Sequence, residues 1–259
     1  MAQRQVIVSL TSFPAAIPYA IGAIQSILNG SVLPDKIVLY LTASQFPEEK
    51  IPSKLTDLVE KNTIFEVRFY KENIRSYTKL IPALSDFPDD IIVTIDDDMH
   101  YAKHMLRRLL RLHRRYPNAI IGHRVRHLKP NAPYNMSKRY MNFRFLTKSL
   151  RPKFENLQTG IGGVLYPPNS LKKEMLDSKL FMEMAPTTDD IWFWAAAVAN
   201  GTKIAPVPFG HWNPRELNKP MDISLKNVNI HSNRDVNREA FENIIKKYPI
   251  IKQRIENKA

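Results

Sequence analysis

The stretch Ile91-Ile92-Val93-Thr94-Ile95-Asp96-Asp97-Asp98 (IIVTIDDD) sets four β-branched aliphatic residues and a threonine directly before three carboxylates. A run this short, apolar and β-branched reads as a buried strand rather than a helix. Three adjacent acids repel one another and gain nothing from packing. They therefore belong where the strand leaves the core.

Upstream, Val6–Leu10, Lys36–Thr42 and Phe65–Tyr70 have the same strand character. Between the strands, Ile17–Leu28, Ile51–Asn62 and Tyr77–Leu84 carry apolar residues at helical spacing. Short strands separated by helices require right-handed crossovers. The expected fold is α/β, a mostly parallel central sheet with helices on both faces. Ligands bind such sheets beyond the carboxyl ends of the strands. Thr11-Ser12, Glu72-Asn73 and Asp96–Asp98 then converge on one edge.

Downstream, residues 100–116 read as a basic amphipathic helix. Met105, Leu109 and Leu112 share one face, and Lys103, Arg107, Arg111 and Arg114 another. Ala119–Val125 reads as a strand, and 126–156 is polar, basic and aperiodic. Thr159–Tyr166 (TGIGGVLY) holds three of the eight glycines in the chain. That density marks either a tight strand turn or a backbone that another group approaches closely. Asp190 opens a helix, IWFWAAAVAN, apolar all round and so buried, which Asn200-Gly201 stops. Lys203–Val207 reads as a further strand, and the tail from Arg238 as helix broken at Pro249.

Charge is unevenly spread. From Met99 to Phe154 there is no acid, against 15 of the 38 lysines and arginines. The other 23 basic residues face all 25 acids, so the rest of the chain is nearly neutral. A block this lopsided points to an anionic partner. The absence of cysteine excludes disulfides, thiolate metal sites and a cysteine nucleophile. No stretch approaches the roughly 20 apolar residues of a membrane span, and a soluble, cytoplasmic protein is expected.

Two acidic motifs carry the chemistry. Asp96–Asp98 reads as a solvated turn capping the next helix, or as oxygen donors for a hard cation that also holds substrate phosphates. In Thr187-Thr188-Asp189-Asp190 the acids read as a helix N-cap and first turn, or as a general base.

An apolar strand ending in Asp-x-Asp, after three βα units, resembles the GT-A nucleotide-sugar glycosyltransferases. The likeness is closest to the bacterial enzymes that build surface polysaccharides such as capsule and lipopolysaccharide. It runs from Val6 to about Val207. It implies one domain, with 1–98 as the nucleotide-sugar-binding half, 99–210 as the acceptor-side half and 211–259 as a helical tail. It also implies Mn²⁺ or Mg²⁺ as cofactor.

By that resemblance Asp98 binds the metal, and Asp96 contacts the metal or the ribose with Asp97 beside it. Thr11 and Ser12 line the nucleotide pocket, Glu72 or Asn73 lies near the base, and Lys79 sits over the nucleotide or its diphosphate. The glycine cluster flanks donor sugar and acceptor. Asp190 is the catalytic base of an inverting transfer, and His211, with His231 competing, is a third metal ligand. Trp212 offers a stacking surface for sugar; Trp192 and Trp194 are expected in the core.

The implied reaction moves a hexose from a UDP-sugar to a saccharide or lipid-linked saccharide acceptor. A metal-dependent nucleotidyltransferase or phosphohydrolase uses Asp96–Asp98 equally well but leaves Asp189-Asp190 as caps. A nucleic-acid-binding module accounts for the basic helix, but no nucleic-acid-binding motif is present and the neighbouring acids would repel such a partner. The basic window is expected instead to meet a lipid-diphosphate-linked acceptor or acidic lipid on the inner face of the cytoplasmic membrane.

Overall fold

The structure is a computed structural model that describes residues 4–128, 151–208, 214–217 and 235–256. Its centre is a seven-stranded sheet in the order β3-β2-β1-β4-β7-β6-β8. The strands are β1 (Val6–Ser12), β2 (Lys36–Thr42), β3 (Phe65–Tyr70), β4 (Ile91–Thr94), β6 (Ile120–His127), β7 (Asn156–Tyr166) and β8 (Ile204–Pro206). All run parallel except β7, which lies antiparallel between β4 and β6. The sheet passes without a break from the first half of the chain into the second.

Period-two alternation divides the core. Val8, Leu10, Ile37, Leu39, Leu41 and Val93 face one layer, under α1 (Ile17–Leu28), α2 (Ser53–Lys61) and α4 (Met105–Arg115). Ile7, Val38, Tyr40 and Ile92 face the other. There they meet α3 (Ile81–Asp86), α5 (Ser178–Met184), α6 (Asp189–Asn200), α7 (Val236–Lys247) and α8 (Pro249–Glu256). Strands apolar on both faces are what a sheet covered on both sides needs.

Helix α6 is buried from Ile191 to Ala199, between β7 and the terminal helices. Its two indoles belong to this core. The Trp192 Nε1 donates to the Met175 carbonyl at 2.7 Å and the Trp194 Nε1 to that of Phe154 at 2.9 Å, while Trp194 stacks on Phe241. Satisfying both N–H groups makes burial of such large rings favourable. Gly201 ends the helix in the left-handed conformation, φ 86°. The opposite end of α6 is thereby fixed at the carboxyl edge of the sheet.

Three expectations are corrected. Residues 100–104, expected to open the basic helix, are not helical. Met99 and Tyr101 are buried with His100 exposed between them, and this two-residue period forms β5 (Met99–Tyr101), paired antiparallel with β9 (Pro214–Glu216). The helix begins only at Met105. The expected helix at 77–84 is a 3-10 turn, Arg75–Lys79, followed by α3, because Pro82 suits a first helical turn but not an interior. The glycine cluster lies within β7, the longest strand, and not in a turn.

Candidate active site

After β3 the chain doubles back across the sheet. Ser9 Oγ of β1 donates to the Lys79 carbonyl at 2.7 Å. Tyr77, fully buried, stacks on Phe181 at 4.1 Å between ring centres and donates its hydroxyl to the Ala185 carbonyl at 2.6 Å. Pinned from both sides, the turn delivers Lys79 to the end of β4. Only 6% of Lys79 remains exposed.

The Lys79 ammonium lies 2.8 Å from Asp96 Oδ1 and 2.9 Å from Asp189 Oδ2. A buried charge without partners is costly, and here one cation holds a carboxylate from each acidic motif. Ser76 Oγ donates to Asp189 Oδ1 at 2.9 Å. The Gly160 amide, from β7, donates to Asp190 Oδ1 at 2.9 Å. Thr188, the N-cap residue of α6, makes no side-chain cap bond. Ser76, Lys79 and Gly160, which bind the two acids, lie on other elements, and a capping role does not account for these contacts.

Gly160 is where close approach matters. A Cβ there would stand 2.8 Å from Lys79 Nζ and 2.9 Å from Asp96 Oδ1. Gly162 makes a similar allowance for β6, whose register shifts between Gly122 and Arg124; its Cβ would come 2.8 Å from the Arg124 nitrogen. The strand-turn reading of the cluster gives way to the close-approach one.

The acidic triplet is anchored individually. The Asp96 amide donates to the Tyr101 hydroxyl at 2.8 Å, and Ser12 Oγ donates to Asp97 Oδ2 at 2.6 Å. The Asp98 carbonyl accepts from the Leu217 amide at 2.8 Å, which ties the triplet to the end of β9. All three side chains are half-buried.

Electrostatics follow from this crowding. Burial pushes the Asp190 carboxyl up to about 7; Asp189 and Asp96 add to the rise, while Lys79 and the Gly160 amide oppose it. For Lys79, burial alone would depress the ammonium. Asp189, Asp96 and Asp190 outweigh it and hold Lys79 well above its ordinary value. Arg124 on β6 is lowered by burial and by Arg126, with Asp190 and Asp96 acting the other way, so it lies within the field of both acids.

The expected residues are therefore distributed unevenly. Asp96, Lys79 and Asp190 meet in one cluster, with Asp97 and Ser12 bonded beside it. Thr11 Oγ1 donates to the Tyr40 carbonyl at 2.8 Å, bridging β1 to β2 at the same edge. Asn73 stands exposed after β3, where its Oδ1 accepts from the Arg75 amide at 3.3 Å. His211, His231 and Trp212, with most of the basic loop at 126–154, lie outside the described residues.

Ser76, Tyr101, Gly160 and Arg124 join the site without having been singled out for such contacts, and Asp189, marked only as one of the acidic pair, joins it as a partner of Lys79. Gly160 was marked by its cluster. Tyr101 carried no signal, since it lay in a segment read as helix.

As to a metal, no group of three His, Asp or Glu side chains is placed to hold one among the described residues. Asp96 and Asp98, which both act on the Tyr101 hydroxyl, are the oxygen donors at the strand end. One or two carboxylates suffice for Mg²⁺ or Mn²⁺ where substrate oxygens and water complete the shell. The donor set fits such an ion.

No protein-family model and no curated protein matches the sequence. Solved structures do. The crystal structure of S. aureus TarS 1–349 superposes with a TM-score of 0.56 at 10% identity, covering 94% of this chain and 72% of that one. The crystal structure of S. aureus TarS 1–349 in complex with UDP gives 0.53 at 12% identity, covering 94% and 71%. At such identity the likeness is one of fold.

Proposed function

We propose that this chain is a metal-dependent, inverting GT-A glycosyltransferase that moves a hexose from a UDP-sugar to a saccharide or lipid-linked saccharide acceptor. One observation carries the reading: Asp190, whose carboxyl burial pushes up to about 7, follows directly on Asp189, which Lys79 bridges to Asp96 at the strand end. A fold shared with a protein crystallised with UDP supports the choice of donor.

Attack by an acceptor hydroxyl on the anomeric carbon needs a base to take its proton as the bond forms. A carboxylate whose pKa lies near the working pH serves best. The Gly160 amide holds Asp190 Oδ1, which leaves Oδ2 to accept the proton. Lys79 holds Asp96 and Asp189 in register and limits the repulsion on Asp190. Thr11, Ser12 and Asn73 border the nucleotide, and Asp97, bonded to Ser12, fixes that border. Asp96 and Asp98 would hold Mn²⁺ or Mg²⁺, which when bound offsets charge on the leaving diphosphate.

The test is release of UDP from a panel of UDP-hexoses with Mn²⁺ and saccharide acceptors, with the anomeric configuration of the product read by NMR. Donor-dependent UDP release with inverted product is expected. No release from any donor, or release unchanged in Asp190→Asn, rejects the reading.

A further inference from the structure

Among the described residues, helix α4 packs through one face and leaves the opposite face exposed. Met105, Leu106, Leu109 and His113 are buried, while Arg107, Arg108, Arg111, Arg114 and Arg115 are all exposed. At 3.6 residues per turn the five arginines fall in an arc of roughly 120° centred opposite the buried side, along a helix about 16 Å long. Among the described residues no ion pair involves any of them, and the helix itself contains no acid. Arg107, then Lys103 and Arg108, help depress the neighbouring His104. The face is a concentrated positive field.

A second feature adjoins it. The loop at 29–35 is fastened to the start of α4. Its Ser31 amide donates to the Lys103 carbonyl at 2.7 Å, and Ser31 Oγ lies 2.9 Å from His104 Nδ1. Two residues further on is Leu33, 54% exposed. Among the described residues, Leu33 and Ile250 are the large apolar side chains left exposed. An exposed leucine beside an arginine array is a combination that polyanions in water do not call for.

We propose that the exposed face of α4 with Leu33 is an adhesion surface for an anionic phospholipid bilayer. A flat array of headgroup phosphates can meet all five guanidinium groups at once, and arginine binds phosphate oxygens in pairs. The acyl boundary just beneath accepts a leucine. A nucleic acid or an acidic polysaccharide satisfies the arginines but gives Leu33 nothing to bury against. A second copy of the chain would bring like charge against like. The arginine face carries no apolar residue, so α4 rests at headgroup level while Leu33 alone dips below it.

Co-sedimentation of the full chain with vesicles tests this. Vesicles of phosphatidylcholine alone are compared with vesicles containing phosphatidylglycerol, at low and high salt. Each basic residue near an anionic surface contributes about fivefold to partitioning. Reversing three charges (Arg107→Glu, Arg111→Glu, Arg114→Glu) should lower binding to the anionic vesicles on the order of a hundredfold or more. Salt should weaken wild-type binding, because screening acts over about 10 Å at 0.1 M. Leu33→Ser should lower binding by about an order of magnitude and leave the salt dependence in place.

These positions are exposed, and circular dichroism with a single-charge variant, Arg111→Glu, guards against a folding defect. Equal binding to both vesicle types, binding to neither, or wild-type binding by the triple variant overturns the proposal. Binding to duplex nucleic acid or to an acidic polysaccharide as tight as to anionic vesicles, with Leu33→Ser indistinguishable from wild type, also overturns it. None of these outcomes depends on glycosyl transfer.

Discussion

A methyl group on Gly160 would stand 2.8 Å from the Lys79 ammonium. Backbone of β7 and a buried side chain from the turn after β3 thus share a space with no room for one more carbon. Gly160→Ala should force Lys79 off Asp96, at a cost of about 1–3 kcal/mol for overpacking. In an ordinary strand the same change is neutral or favourable. Urea denaturation measures it, and a variant as stable as wild type would mean that Lys79 moves freely.

Lys79→Met leaves two carboxylates without their shared cation. Removing one partner of a buried ion pair costs about 3–5 kcal/mol. Lys79 is raised when folded, so its contribution is complete below its unfolded pKa and is lost only as pH rises through the folded value. Unfolding curves should show the difference between wild type and Lys79→Met undiminished around neutrality and narrowing only in strong alkali.

Asp190 makes two predictions that separate base from scaffold. If it takes the acceptor proton, kcat/KM should rise with pH through about 7, and Asp190→Asn should lower turnover by roughly 10² to 10⁴-fold.

For stability the direction is opposite. A carboxyl raised when folded contributes stability fully present below its unfolded pKa, about 4, and lost as pH rises through about 7. Asp190→Asn should therefore exceed wild type in melting temperature above neutrality and lose that advantage near pH 4. A variant less stable than wild type at pH 8 would assign the carboxylate a structural role.

Tyr101→Phe removes the hydroxyl that accepts the Asp96 amide. The amide is left unpaired, at a cost of about 1–3 kcal/mol, and Asp96 loses its fixed orientation. Thermal melts report the first effect, and an increased KM for donor the second.

Asp98→Ala tests the ion. The side chain is half-buried at the sheet edge, so the fold should persist while Mn²⁺-dependent transfer is abolished. Calorimetric titration with Mn²⁺ in the presence of UDP would show binding in wild type and none in the variant. Activity of the wild type after exhaustive chelation would remove the metal from the mechanism.

The amino-acid sequence by itself determined the layers. The β-branched and aromatic runs in Val6–Leu10 and Lys36–Thr42 identified strands, and the apolar run of IIVTI placed Asp96–Asp98 at a strand end. Asn200-Gly201 located the end of α6, and the helical spacing of Arg107, Arg111 and Arg114 already put them on one charged face. These are local signals, because periodicity and capping report burial within one element.

Tertiary structure alone decided which polar atoms meet. Lys79 reaches Asp96 across 17 residues, Ser76 reaches Asp189 across 113, and Gly160 reaches Asp190 across 30. No period links such positions. They come together because Ser9 and Tyr77 draw the 75–79 turn back over the sheet and because β7 runs against its neighbours, bringing Gly160 past the end of β4. Tyr101 shows the same limit from the other side. Its residues 99–101 resemble the start of the basic helix in composition, and only pairing with β9, which lies more than a hundred residues later, makes them a strand that presents the hydroxyl to Asp96.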